Sequence, residues 1–150
     1  MVWKPHVTVA AVAQQDGRFL LVEEYAGGDL VLNQPAGHLE PGESLVAAVV
    51  RETREESAWT FRPQALVGVY RWYSPTRNET FIRVCFCGDV ADHVPEQPLD
   101  DGIQRIVWAS PEDLRTTPAR LRSPLVLRAI DDYLFGRRFP LDVFQDVIER

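Results

Sequence analysis

The chain has 150 residues, of which 45% are hydrophobic and 25% charged, and these values are typical of one soluble globular domain. Its formal net charge of −6 argues against broad binding to a nucleic-acid polymer, which requires a positive surface. No apolar stretch of roughly 18 residues and no signal-peptide pattern occurs, so we expect a cytoplasmic protein without a membrane partner.

Strand patterns dominate the first third of the chain. An Asp16-Gly17 turn signal separates two segments rich in apolar residues, which predicts a hairpin. A shorter third strand follows a Gly-containing turn. The stretch 34–42 contains two Gly and two Pro and predicts a loop. The three predicted strands span residues 6–13, 19–25 and 30–33.

Three helices are predicted in the remainder. Ser44 is a suitable N-cap for a helix over residues 44–57, which contains neither Gly nor Pro. Pro111 marks the first turn of a short helix. A second long helix is predicted over residues 123–135, with Ser123 as its cap and Pro124 at its first position.

Three further strands are predicted, at residues 65–73, 80–90 and 103–108. Cys85 and Cys87 are too few for a disulfide scaffold or a zinc site, so we expect them to be core residues on one face of a strand. Mixed strands and helices that do not strictly alternate favour an α+β sandwich in a single domain, residues 1–150.

The predicted helix over residues 44–57 carries acids on the face that should be buried. At about 100° per residue, Glu52, Glu55 and Glu56 fall on the same stripe as the apolar side chains, although acids are normally exposed. Like charges at this spacing destabilise an exposed helix by roughly 0.2–0.5 kcal/mol per pair, and by more when half buried. One arginine relieves only part of this repulsion, so a divalent cation would complete the balance.

Oxygen ligands of this kind select a hard cation, Mg²⁺ with Mn²⁺ as a substitute. Gly37, in the loop before the helix, can bring its carbonyl close as one more ligand. Glu43 stands at the junction of loop and helix, where it can pair with Arg51 and support the ligands. A solvated acidic helix face explains the bare acidic string as well, and the glycine loop in front of it favours the metal site.

The spacing of these residues resembles the signature of the Nudix hydrolases, G-x5-E-x7-R-E-U-x-E-E-x-G-U, in which U is a bulky aliphatic residue. Gly37, Glu43 and the run 51–56 match all the charged positions and the first glycine. Three other positions depart from it: Thr53, Ala58 and Trp59. These departures affect packing and the helix exit but remove no carboxylate. The resemblance implies an α/β/α sandwich with a mixed sheet, and hydrolysis of a phosphoanhydride bond.

The resemblance also implies roles by position. Glu52 and Glu56 would be the principal metal ligands, and Glu55 a further ligand, directly or through water. Glu43 and Arg51 would orient them. The general base varies in this family and often lies outside the signature. Asp100 and Asp101 precede a strand in a place where such a base commonly lies, and a surface turn is the alternative for both.

The predicted catalytic set is therefore Arg51, Glu55 and Asp101. Glu79 is a weaker candidate for the base, and a turn position before a strand explains it equally well.

Four side chains are candidates for contact with the substrate. His38 follows Gly37 and could touch a phosphate oxygen, or it could be an ordinary hydrogen-bonded loop residue. Arg83 has a geometry that suits phosphate, although a partly exposed strand arginine is the alternative. Trp72 could stack on a base ring or pack in the core. Arg122, at the entry to the last long helix, could reach the substrate or lie at the surface.

Other segments resemble one subgroup of the family, the low-specificity phosphatases. These segments are residues 4–9, 33–40, 121–126 and 138–141. This resemblance implies a monomer that releases orthophosphate from nucleoside tri- and diphosphates and from the pyrophosphate of the thiamine pyrimidine. The alternatives are a pyrophosphohydrolase of another nucleotide that cleans the nucleotide pool, and a ligand sensor without activity. The intact set of acids disfavours the sensor.

Overall fold

Strands and helices alternate irregularly in the computed structural model, which describes residues 1–149. The strands are β1 (His6–Val12), β2 (Gln14–Gln15), β3 (Arg18–Ala26), β4 (Asp29–Asn33), β5 (Ala36–His38), β6 (Thr60–Ser74), β7 (Glu79–Ala91) and β8 (Ile103–Ala109). The helices are α1 (Leu45–Ser57), α2 (Pro111–Thr116) and α3 (Leu125–Phe135). Within residues 1–149, none of these helices combines the length and the apolar character needed to cross a membrane.

The strands form two four-stranded sheets. In the first, the order is β5-β1-β7-β6. Strands β1 and β7 run parallel and the other pairs are antiparallel, so this sheet is mixed. In the second, β3 pairs antiparallel with β2, β4 and β8. Both β1 and β3 are therefore flanked by paired strands and lie in the interior.

The two faces of β1 serve two separate cores. Val9 belongs to a buried cluster that includes Val49 of α1, whereas Ala10 belongs to a second cluster that includes Ile130 of α3. Successive side chains of a strand point to opposite faces, so the two helices cover opposite sides of the sheet. This arrangement is the expected α/β/α sandwich.

Each strand and helix predicted from the pattern is present, although the bounds differ. Strand β6 begins at Thr60 rather than at residue 65. The last long helix begins at Leu125, and the Ser123 hydroxyl accepts a hydrogen bond from the backbone N–H of Leu125 at 3.2 Å. Cys85 and Cys87 are buried in one core cluster, as expected.

The prediction of a loop throughout residues 34–42 is wrong in its middle. Residues 36–38 form β5, which pairs antiparallel with β1. Its strand geometry comes from backbone hydrogen bonds to a segment far away in the sequence. Local Gly and Pro content does not reveal such a tertiary contact. This short strand delivers Gly37 and His38 to the site described below.

Helix α1 shows how the sequence tolerates its departures from the glycine-ended pattern. The Ser44 hydroxyl accepts a hydrogen bond from the Ala47 N–H at 3.0 Å, so the predicted N-cap is confirmed. At the other end, Ala58 adopts a left-handed conformation with φ of 60°. Thr53 is fully buried, and its hydroxyl donates to the carbonyl of Val49 at 2.7 Å. The buried hydroxyl is thus satisfied inside the helix.

Replacing Ala58 by glycine should raise the free energy of unfolding by roughly 0.5–1 kcal/mol. A side chain in the left-handed region costs roughly 1–2 kcal/mol, which glycine avoids. Part of this gain is lost because glycine has more conformational freedom in the unfolded chain. Urea denaturation followed by circular dichroism measures the change. The control is Ala47→Gly, at an exposed position of α1, which should lower stability by about 1 kcal/mol. A destabilised Ala58→Gly protein would contradict the proposed strain.

Candidate active site

Strand β5 and helix α1 approach each other so closely that only glycine fits between them. A Cβ atom at Gly37 would lie 2.2 Å from the carboxylate carbon of Glu52. One residue earlier, the N–H of Ala36 donates to Oε1 of Glu56 at 2.8 Å. The glycine of the signature is therefore needed for close approach, because the Glu52 carboxylate occupies the space of a side chain.

Three carboxylates meet beside this contact. Glu52, Glu55 and Asp100 each place one oxygen so that all three oxygens lie within 4.8 Å of one another. Asp100 belongs to the loop between β7 and β8, and its backbone N–H donates to the carbonyl of Glu55 at 3.0 Å. Gln97 of the same loop donates its side-chain amide to the carbonyl of Arg54 at 2.8 Å. The loop thus caps the last turn of α1 and delivers a carboxylate to the helix acids.

Asp101, which the sequence analysis chose as the candidate base, is not brought to this group. Asp100 and Asp101 are both exposed, but the group of three carboxylates contains only Asp100 of the two. Only the N–H of Asp100 is held by α1, and the chain then turns at Gly102 with φ of 90°. Local sequence does not decide which of two adjacent acids is held. Asp100 therefore replaces Asp101 as the candidate base.

A single guanidinium group ties the loop and the helix acids together. Arg51 donates from Nε and Nη2 to the two carboxylate oxygens of Glu43, at 3.0 and 2.8 Å. Its Nη1 donates to Glu52 at 2.9 Å and to Glu55 at 3.1 Å. Nη2 also donates to the carbonyl of His38 at 3.1 Å. The hydrogen bond from Arg51 lowers the pKa of Glu43, so the pairing expected from the sequence holds both groups charged.

Burial shifts the two helix acids nearest to β5 in the opposite direction. Desolvation raises the pKa of Glu56 to about 8, although the hydrogen bond from Ala36 opposes the shift. Desolvation also raises the pKa of Glu52, and Arg51 opposes that shift. Glu56 lies outside the group of three oxygens, beside Ala36. The site therefore concentrates acids that burial disfavours as anions, and a cation would relieve this.

A cavity of about 190 Å³ adjoins this loop. Gly37 and His38 line it, together with Arg83 and Arg122. Trp72 contributes to its wall. The four side chains that the sequence analysis nominated for the substrate thus border one cavity, next to the acids of α1.

His38 lies at the cavity and is also hydrogen-bonded to a neighbouring residue. It lines the cavity, and its Nε2 lies 3.0 Å from Nδ1 of His6. Burial lowers the pKa of His38, and the neighbouring His6 and Arg77 add to the shift. His6 also lies 3.6 Å from the carboxylate of Glu79 and stacks on the ring of Phe81. Glu79 therefore lies against His6, outside the residues that line the cavity, and is separate from the group that contains Asp100.

Sequence reasoning missed several cavity residues. Glu24, Asn33 and Ser123 line the cavity from three separate parts of the chain. Glu24 accepts hydrogen bonds from Asn33 and Arg122, both at 3.3 Å. Acids and amides at strand ends are common in turns, so the sequence carried no signal that distinguished them. Their proximity depends on the pairing of β3 with β4 and on the placement of α3.

The chain is similar to known proteins over nearly its whole length. The NUDIX domain family model matches residues 3–130. Phosphatase NudJ of Escherichia coli K12 is 41% identical over 144 residues, which cover 96% of this chain and 93% of that protein. A NUDIX hydrolase from Nitrosomonas europaea has a similar structure, with a TM-score of 0.94, 47% identity and coverage of 96% and 98% of the two chains. A MutT NUDIX hydrolase from Burkholderia pseudomallei, at 21% identity over 87% of this chain and 98% of that chain, shares the fold with a TM-score of 0.74.

Replacing Gly37 by alanine should lower kcat/KM with Mg²⁺ by roughly 100-fold, because the new methyl group displaces the Glu52 carboxylate. Steady-state kinetics and thermal unfolding measure the two consequences separately. Gly17→Ala is the control for activity: its φ of 76° makes alanine strained there, so stability should fall, but a Cβ meets no atom within 4 Å and kcat/KM should be retained. Full activity in the Gly37→Ala protein would remove the steric argument.

Replacing Glu56 by glutamine should stabilise the metal-free protein at about pH 8. The folded-state pKa lies near 8 against about 4.5 for the free group, so the folded protein holds an extra proton between those values and loses stability as pH rises through them. Glutamine removes this loss, which is on the order of 1–3 kcal/mol at pH 8 and near zero at about pH 5.

Urea unfolding in chelator at both pH values measures the difference, with the exposed Glu96→Gln as control. A destabilised Glu56→Gln protein at the higher pH would show that the carboxylate is not disfavoured by burial.

Proposed function

This chain belongs to the NUDIX family of hydrolases, and we propose that it uses a hard divalent cation to release orthophosphate from a small nucleoside di- or triphosphate or pyrophosphate ester. As a hydrolase, it acts on phosphorus-containing anhydrides. The observation that carries the proposal is a cavity lined by Gly37 and His38, where Gly37 lies against the Glu52 carboxylate of α1. A substrate can therefore place a diphosphate at the acids and its organic group in the cavity.

The acids of the site fit a hard cation. Glu52 and Glu55 offer only oxygen ligands, with the Asp100 carboxylate within 4.8 Å of both, and such sets suit Mg²⁺ or Mn²⁺. Glu56 and the carbonyl of Gly37 are the further candidates to hold it. The unfavourable burial of Glu52 and Glu56 as anions supports the same proposal, because a cation offsets it.

The site has to offset the negative charge of the phosphates, hold its own carboxylates in place and accept a proton from the attacking water. A bound Mg²⁺ would offset the charge on the phosphoryl oxygens and make water at the site more acidic. Arg51 keeps Glu52 and Glu55 in place through charged hydrogen bonds. Asp100, held by α1 through its backbone, is our candidate to take a proton from the attacking water. His38 can donate to a phosphate oxygen, since it lines the cavity next to Gly37.

Release of orthophosphate is proposed from the relative that carries the name phosphatase. Phosphatase NudJ is 41% identical over nearly the whole length of this chain. One alternative is a pyrophosphohydrolase that cuts between other phosphates, and a second is a sensor that binds without cutting.

We also propose a monomer in the cytoplasm, where free, buried cysteines such as the two in this chain are common.

A panel of nucleotides and pyrophosphate esters tests the proposed activity. With Mg²⁺, orthophosphate should appear in the absence of added pyrophosphatase, and a chelator should abolish its release. Phosphate that appears only after pyrophosphatase is added would assign the rival pyrophosphohydrolase. Binding without any product would assign the sensor.

The adjacent acids Asp100 and Asp101 provide a matched pair of variants for the candidate base. Asp100→Asn should lower kcat by roughly 100-fold, in the range expected when a general base is removed. Asp101→Asn should stay within about twofold, because its side chain lies outside the carboxylate group. Steady-state kinetics with saturating Mg²⁺ separates the two. An equal loss in both variants would show that the loop, and not the Asp100 carboxylate, matters.

A further inference from the structure

Arg83 is a buried guanidinium whose hydrogen bonds are incomplete. Its side chain lies on β7 with only 5% of the residue exposed, and it borders the cavity. Nη2 donates to the side-chain oxygens of Asn33 at 3.0 Å and of Gln34 at 3.3 Å. Nε is sealed from solvent without an acceptor. At least one N–H group of this buried guanidinium thus awaits a partner.

The surrounding protein does not supply that partner. Arg83 forms no ion pair with a carboxylate in the described part of the chain. The thiol of Cys85 is its neighbour on the same face of β7. Burial raises the pKa of Cys85 to about 11, so the thiol stays protonated and is a weak acceptor. A buried donor without an acceptor costs about 1–3 kcal/mol, and more when it is charged. This cost persists in a native structure when a ligand completes the bonds.

The two amides beside Arg83 are locked in orientation. The amide nitrogen of Asn33 donates to Glu24 at 3.3 Å, and that of Gln34 donates to the carbonyl of Val126 at 2.8 Å. Both amide oxygens therefore have to face the guanidinium. The Arg83 side chain is held on two sides, and its remaining N–H groups are prepared for an acceptor from elsewhere.

The position of Arg83 indicates which part of the substrate would reach it. Gly37 and His38, which adjoin the acids of α1, line the same cavity as Arg83 and Arg122. If the diphosphate is held at the acids, the organic group extends toward Arg83 along Trp72. The cavity of about 190 Å³ is smaller than the roughly 300–1,000 Å³ that encloses a drug-sized ligand. It fits a single ring.

The charges around Arg83 favour a neutral acceptor over a second anion. The carboxylate of Glu24 also lines the cavity, and it is only partly neutralised by Arg122 at 3.3 Å. A further phosphate or carboxylate here would face this acid. The hydroxyl of Ser123 accepts from Leu125, so its own proton is free to donate. Both Ser123 and Arg83 can therefore donate a hydrogen bond to an acceptor atom of a neutral ring.

We propose that Arg83 selects the organic group of the substrate by donating its free N–H groups to an uncharged acceptor atom, a ring nitrogen or a carbonyl oxygen. This inference rests on the proposed function, because that function sets the direction in which the substrate lies. The inference adds to the proposed function the feature of the ring that is recognised. Arg83 is a specificity residue in this role, and Trp72 provides the face along which the ring lies.

A matched pair of ligands that differ in one ring atom tests the proposal without turnover. The probes are benzyl methylenebisphosphonate and its three pyridylmethyl counterparts, which replace one ring carbon with an acceptor nitrogen. Titration calorimetry with Mg²⁺ should give at least one pyridyl isomer a Kd at least about tenfold lower than that of the benzyl probe. The reason is that a site built to donate to an acceptor rejects analogues that lack it. Equal Kd values for all four probes would overturn the proposal.

Arg83→Met should abolish this preference, bringing the Kd values of the four probes to within about threefold. Arg62→Met is the control, since Arg62 is an exposed arginine outside the cavity, and it should leave the preference unchanged. A preference that survives in a folded Arg83→Met protein overturns the assignment. If that variant fails to fold, as judged by circular dichroism, the comparison of probes on the unaltered protein still decides.

A fifth probe separates a neutral acceptor from an anion. A carboxybenzyl methylenebisphosphonate should bind more weakly than the best pyridyl isomer, because Glu24 opposes its charge. Tighter binding of the carboxylate would overturn the neutral-acceptor assignment. The bisphosphonates are not hydrolysed, so failure of this inference is distinct from failure of the proposed function, which would appear as absent phosphate release from every nucleotide and ester.

Discussion

The site depends on the close approach of strand β5 to helix α1. The Glu52 carboxylate occupies the place where a side chain of residue 37 would project, and the Ala36 N–H holds Glu56. Because of this contact, two acids that a helix would normally expose are buried against backbone. Burial raises the pKa of both carboxyl groups and so disfavours their charged forms, which is the physical basis for the affinity we expect for a cation. The same contact sets the mouth of the cavity.

Groups of opposite charge lie at the site. Acids that exceed their arginine partner lie beside β5, and Arg83 on β7 has no hydrogen-bonded carboxylate in the described part of the chain. In the proposed function, a diphosphate with its cation would complete the first group, and a ring acceptor would complete the second. The cavity of about 190 Å³ is lined both by Gly37, next to the acids, and by Arg83.

The parts of the site that could be predicted are those encoded within one helix and the loop before it. Glu52, Glu55 and Glu56 stand on one stripe because of helical periodicity, and Arg51 reaches Glu55 because they are four residues apart. The pairing of Arg51 with Glu43 follows from the same local spacing. Asp100 could not be distinguished from its neighbour, since the choice is made by a hydrogen bond to α1. The orphaned N–H groups of Arg83 were also beyond reach, because strand pattern does not state what lies opposite a side chain.

The sequence by itself determined the order of the three helices and of six of the eight strands, the acid-bearing helix and the family to which the chain belongs. These rest on periodicity, capping and spacing, which act over a few residues. Only the tertiary structure decided that residues 36–38 form a strand, that Asp100 joins the acids, and that Arg83 lies buried without a carboxylate. Each of these is a contact between segments far apart in the chain, where the geometry of packing, and not the local pattern, selects the partner.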